Sequence, residues 1–138
     1  MANNQASWTE MFAFIDEFPE NDTWREWKKF VRALLTAGVE DGLDKYFRAG
    51  QSMHHIIFST CERHGLEQYD PQPPRVTLGR DEGGYFLAFS TRNLWFFPPD
   101  RKNAITSENA LSMLRSYLLA LWGESRPSDP PPPVFKLV

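Results

Sequence analysis

A single cysteine, Cys61, stands in a chain of 138 residues, which excludes an intramolecular disulfide framework and fits a reducing compartment. Positive charge is not in excess either: 15 Lys and Arg against 18 Asp and Glu give a net charge of −3 and a pI near 5.6. A dedicated nucleic-acid binder usually carries a basic footprint, so the balance argues against that class. Met1 to Trp8 has no basic residue, and the apolar positions that follow are broken by Glu10, Asp16 and Glu17. That pattern is not a signal peptide, and no uninterrupted apolar run approaches the length of a membrane span. The expectation is a cytoplasmic protein without a membrane partner. Internal repeats are absent, as is a linker between two domains. Gly83-Gly84 is not followed by a helix, so it makes no phosphate cradle. No motif calls for a cofactor.

Large aromatic side chains are abundant instead: five Trp, four Tyr and eleven Phe. Such residues build cores first and interfaces second. Apolar content of 41% and charged content of 24% are those of an ordinary soluble globular protein, and the length suits one domain.

The stretch from Arg75 to Pro98 reads as a three-strand antiparallel meander. Its runs are Arg75 to Arg80, Tyr85 to Ser90 and Leu94 to Phe97, joined by Asp81-Glu82-Gly83-Gly84 and Thr91-Arg92-Asn93. The first run alternates, with Val76 and Leu78 on one face and Thr77 on the other. The second puts Tyr85, Leu87 and Phe89 on one face against Phe86 and Ala88, and the third opposes Leu94 and Phe96 to Trp95 and Phe97. A sheet with two apolar faces must be covered on both.

Helices are expected on either side of this meander. Ser7-Trp8-Thr9-Glu10 has capping-box form ahead of Met11, Phe12, Phe14, Ile15 and Phe18, with Pro19 as the stop. A second helix is expected from Asp22 or Thr23 to Ala37, with Gly38 as its C-terminal cap. A weaker one is expected over Val39 to Ala49. Ser52 to His64 is read as a helix from the spacing of Met53, Ile56, Ile57, Thr60, Cys61 and His64. Pro98 to Asn103 is read as a loop, and Ser107 as the cap of a closing helix over Glu108 to Trp122, ended by Gly123. The fold class is therefore α+β: N-terminal helices, a three-strand antiparallel β-meander, and a C-terminal helix packed on the sheet. The domain runs over 1–125, followed by a proline-rich tail over 126–138. Arg126-Pro127 and Pro130 to Pro133 favour polyproline II geometry that leaves the surface, with a fold back onto the domain as the other outcome.

Five constellations could carry chemistry. His54, His55, Cys61 and His64 include residues one helical turn apart, which could serve as acid–base groups or share a metal. No second ligand pair exists elsewhere, and a core cysteine beside half-exposed histidines is the simpler account. Arg25, Lys28, Lys29 and Arg32 form a basic helix face beside Trp24 and Trp27, which is most simply a solvated face. Asp81 and Glu82 at a hairpin tip read as turn residues. The tail could dock in an aromatic groove or add a strand to a sheet edge. The aromatic load of the meander is the strongest of the five, with Tyr85, Phe89, Arg92, Trp95 and Phe97 as the partner-binding set, against the simpler account of a three-layer core with helices on both faces of the sheet.

Two functions follow. The first is a non-catalytic protein-binding module, of inhibitor, immunity or adaptor kind, acting through an acidic or aromatic surface on another protein. A basic partner fits the acidic charge, and a homodimer is a separate outcome. The second is a small enzyme or ligand-binding domain using an aromatic sheet face with histidine acid–base groups.

Overall fold

The computed structural model describes residues 4–60, 73–92 and 97–136. Among them are three α-helices, α1 (Asn4–Asp16), α2 (Arg25–Glu40) and α3 (Ala110–Ser125). One sheet holds five strands: β1 (Arg48–Ser52), β2 (His55–Ser59), β3 (Arg75–Asp81), β4 (Gly84–Ser90) and β5 (Arg101–Ile105). Their order in space is their order in the chain, and every pairing is antiparallel. The class is α+β, and the expected three-strand meander is the middle of a longer one.

β3 lies where its alternation places it and β4 where the apolar run between two turns does, in register from Arg75 opposite Ser90 to Asp81 opposite Gly84. Their turn is closed by the Asp81 carboxylate, which accepts a hydrogen bond from the Gly83 amide at 2.8 Å. The third partner differs from the expectation. β4 pairs with Arg101–Ile105, from Phe89 opposite Arg101 to Tyr85 opposite Ile105, in the stretch read as a loop. This is an edge strand, and its first four residues are exposed, so it carries no apolar alternation to find. Of the expected third strand, residues 94–96 lie outside the described residues, and Phe97 sits in a bend.

The helix expected over Ser52 to His64 is a strand. His55–Ser59 pairs with β1 on one side and β3 on the other, and Met53-His54 form the two-residue turn of the first hairpin. The spacing misleads because Ile56 and Phe58 are buried on one face and Ile57 on the other. A strand apolar on both faces has no period to distinguish it from a helix. The helix expected over Val39 to Ala49 is likewise replaced: α2 continues to Glu40, a single 3-10 turn covers Leu43–Lys45, and β1 begins at Arg48.

Helix ends shift as well. α2 passes through Gly38, whose lack of a side chain has a packing cause: a Cβ there would sit 2.9 Å from the Trp8 ring. α1 begins at Asn4, so Ser7 lies within the helix instead of capping it. Its buried hydroxyl donates to the Asn4 carbonyl and accepts from the Ala49 amide at 2.9 Å. With Trp8 Nε1 donating to the Phe47 carbonyl at 2.8 Å, this fastens α1 to the start of β1. α3 begins at Ala110 and runs through Gly123 to Ser125.

All three helices lie against one face of the sheet. Trp8, Met11 and Ile15 of α1, Trp27, Val31, Leu34 and Leu35 of α2, and Leu114, Tyr117, Leu118 and Leu121 of α3 form one core. They share it with Ala49, Ile56, Phe58, Val76, Leu78, Leu87 and Ile105 from the strands. Ile57 and Ala88 are also buried but stand outside this cluster, on the opposite face.

The proline segment turns back. Trp122 Nε1 donates to the Pro130 carbonyl at 3.1 Å, Arg115 to the Val134 carbonyl at 2.8 Å, and the Phe135 ring meets Phe47 at 6.0 Å. Pro132 has extended, polyproline-like backbone and is buried, so the stiff segment lies along the domain to Lys136. Arg115 also pairs with Asp41, joining α3, the end of α2 and the tail through one guanidinium.

Candidate functional site

Residues of α2, α3, β4 and β5 line an open cleft of about 600 Å³. The opening has a simple cause. Ala33 and Ala37 of α2 and Ala110 of α3 line it, and side chains this small leave space unfilled. The floor is Tyr85 and Ile105, with Leu34 and Leu111 on the walls. Phe30 lies flat on Tyr85, ring centroids 3.8 Å apart and planes within 3°. Burial pushes the Tyr85 phenol above its usual pKa and nearby Glu26 pushes it further, while Arg80 opposes both. Tyr85 therefore stays neutral at physiological pH and acts as an apolar plate with one hydroxyl. Glu26 and Lys29 stand on one rim, Thr106 and Ser107 on another. The volume falls within the range of ligand clefts, and the lining is mostly apolar with a few polar groups.

Of the five residues expected to bind a partner, Tyr85 floors this cleft. Phe89 is half-buried against the helix-covered core, opposite Arg101 on β5. Arg92 and Phe97 are both exposed in the connection from β4 to β5, the guanidinium 3.4 Å from the ring centroid. Trp95 lies outside the described residues. Tyr85 and Arg92 are seven residues apart along an extended chain, roughly 20 Å. The set is thus divided between the cleft, the core and a far loop.

His54 and His55 do not line the cleft, although Trp24 and Arg80 connect His54 to Tyr85. His54 and His55 have ring centroids 4.6 Å apart, and His54 also meets Trp24 at 5.9 Å. His55 lies on the second sheet face with Phe86, 6.2 Å between centroids, and both rings lie over Gly79. A Cβ at Gly79 would come within 2.6 Å of Phe86 and 2.9 Å of His55, so the bare glycine provides the space these rings occupy. Burial, and then the neighbouring His54, lower the pKa of His55. Cys61 and His64 lie outside the described residues. Among the described residues no group of three His, Cys, Asp or Glu side chains could hold a metal ion.

Three of the four cations on the basic face of α2 are paired on the molecule, and the fourth, Lys29, lines the cleft. Arg25 pairs with Asp22, Lys28 with Glu20 at 2.5 Å, and Arg32 with Asp16. A phosphate chain would have to displace these acids. Of the acids at the β3–β4 turn, Asp81 is likewise engaged, with Lys102 at 2.9 Å.

The sequence reading passed over a polar row on the second face. Arg75 opposes Ser90 across β3 and β4, and Thr77 follows on the same face. All three are buried, to 6%, 2% and 4% relative exposure. Among the described residues Arg75 Nε, Thr77 Oγ1 and Ser90 Oγ have no hydrogen-bond partner, and burial lowers the guanidinium pKa. The signal was present, since Arg75 alternates with the core residues Val76 and Leu78.

Among the described residues no helix is long and apolar enough to cross a membrane. Compared with protein-family models, with curated proteins and with solved structures, the chain matches none.

Proposed function

We propose that the chain is a non-catalytic protein-binding module whose cleft between α2 and α3 receives apolar side chains of a partner. The observation that carries this reading is the cleft itself. An open apolar trough, walled by two helices and floored by a stacked Phe30–Tyr85 pair, offers a partner helix or extended segment a ready seat. Its rigid aromatic floor costs little conformational entropy to engage, and the rim residues Glu26 and Lys29 can set orientation. The net charge of −3 favours a basic partner, as an inhibitor or immunity protein of a basic enzyme would have. Neither histidine is hydrogen-bonded to a nucleophile or a carboxylate among the described residues, which leaves the acid–base alternative without a partner group there.

Ala33→Trp tests this reading, because the added ring fills the trough from an exposed helix position. Mild cross-linking in lysate of the source cells identifies the partner, and titration of the purified pair then measures affinity. The expected result is one stoichiometric partner bound at least about tenfold more weakly by A33W, a loss of about 1.4 kcal/mol. Equal affinity of A33W and wild type, with both unfolding at the same urea concentration, overturns it. A co-purifying apolar small molecule lost in A33W, seen by native mass spectrometry, would assign the same cleft to ligand binding instead.

A further inference from the structure

We propose that Arg75, Ser90 and Thr77 form a binding site for an oxyanion, a phosphate or carboxylate group, on the second face of the sheet. The site is separate from the cleft and does not depend on its reading. A guanidinium keeps its charge at any physiological pH, and burying one without a counter-charge is among the costlier things a fold can do. Arg75 is 94% removed from solvent by its 6% relative exposure, and neither a hydrogen bond nor an ion pair meets it among the described residues. Buried polar groups in native proteins are satisfied, and an exception is most simply a place reserved for something else.

The neighbours point to the chemistry of that occupant. Ser90 stands directly across from Arg75, with Cα atoms roughly 5 Å apart in such a pair, and Thr77 is the next residue on the same strand face. Both hydroxyls are buried and unpartnered, so each has a donor to give. A planar fork of N–H donors flanked by two O–H donors matches an oxyanion, whose oxygens accept only. One step beyond the Phe58–Val76 pair, buried Ser59 comes beside Arg75, and Ser59 in turn opposes Arg48. Along this row the described residues carry two arginines and two serines, and the register of β4 with β5 brings one acid, Asp100, beside Ser90, where its carboxylate is held by the Thr91 amide and hydroxyl at 2.7 and 2.6 Å. Asp81, the acid of the same strand face, is at its far end and held by Lys102. The site lies at the strand ends, where the half-buried residues Pro74 and Thr91 enter and leave the sheet.

The test uses inorganic phosphate and, separately, acetate, each against chloride at constant ionic strength. Thermal unfolding is followed alongside the Nε–Hε NMR signal of Arg75. A saturable rise in Tm of about 5 °C or more at a hundredfold excess over the half-saturating concentration is expected, with a matching shift of the Arg75 signal. Arg75→Met should abolish both effects. Arg75→Lys, which keeps the charge and loses the fork, should weaken binding about tenfold. A response to phosphate assigns a phosphate-bearing ligand, and one to acetate a carboxylate. No saturable response to either anion, or the same response in R75K as in wild type, overturns the site. Should R75M fail to fold, the Arg75 signal of the wild-type protein still decides: an unmoved signal at saturating anion overturns the proposal.

Discussion

The two faces of the sheet are built on different principles. The face under the helices is filled by Phe58, Val76, Leu78, Leu87 and the helix side chains that close on them. Trp8 Nε1 reaches the Phe47 carbonyl, and the Tyr117 hydroxyl donates to Asn103 at 2.6 Å. The other face mixes Ile57, Phe86 and His55 with small and polar residues, Gly50, Ser59, Thr77, Gly79, Ala88 and Ser90, and with Arg75, whose Nε, like Thr77 Oγ1 and Ser90 Oγ, has no hydrogen-bond partner among the described residues. Burial alone therefore does not identify a core. The first face stabilises by excluding water from apolar surface. The second is buried at a cost, and such a cost is a reason to look for function there.

Breaking each face separately sharpens the contrast. Phe58→Ala removes a fully buried ring that also meets Trp8 at 5.3 Å, and should cost about 3–5 kcal/mol, read as a lower urea midpoint at unchanged slope. Arg75→Met, measured without phosphate or carboxylate buffers, should cost nothing or stabilise, because it removes an uncompensated buried charge. A loss as large as that of F58A would show that both faces are core in the same sense. Gly79→Ala falls between the two. Its Cβ collides with Phe86 and His55, but both rings are only half-buried and can swing away. A cost of about 1–2 kcal/mol is expected, below that of F58A in the same urea titration.

What could be read from the sequence follows the same division. β3 and β4 were legible because Val76 and Leu78 alternate with Arg75 and Thr77, and because a glycine turn lies between the runs. β1 was not, since Arg-Ala-Gly-Gln-Ser offers one buried apolar residue, Ala49, and becomes a strand only by pairing with β2. β5 was missed because an edge strand keeps charge to discourage foreign pairing. β2 was misread because both its faces are apolar. Tyr85 was singled out as an aromatic on a strand, yet the cleft above it is made by Ala33, Ala37 and Ala110, and missing bulk leaves no pattern in a sequence. The unpartnered state of Arg75 is a property of three-dimensional neighbours, which no local spacing encodes.

The smallest expected effect concerns the rings over Gly79. Burial holds the pKa of His55 below its ordinary value of 6.5, so the folded protein takes up this proton less readily than the unfolded chain. The stability tied to neutral His55 is complete above the unfolded pKa. It is lost as pH falls from there toward the lower folded value, since over that interval the unfolded chain binds more protons. Asp81 and Asp100 have lowered pKa values and change protonation only in the carboxylate range, well below this window. Urea midpoints measured in steps from pH 8 to pH 5 should therefore decline below about pH 6.5. His55→Asn should flatten that decline. In Gly79→Ala, with the imidazole displaced into water, the slope should shrink as well, and His55 should titrate closer to its ordinary value by NMR. An unchanged slope in H55N would mean that protonation elsewhere governs this range, and that the ring pair over Gly79 packs without sensing pH.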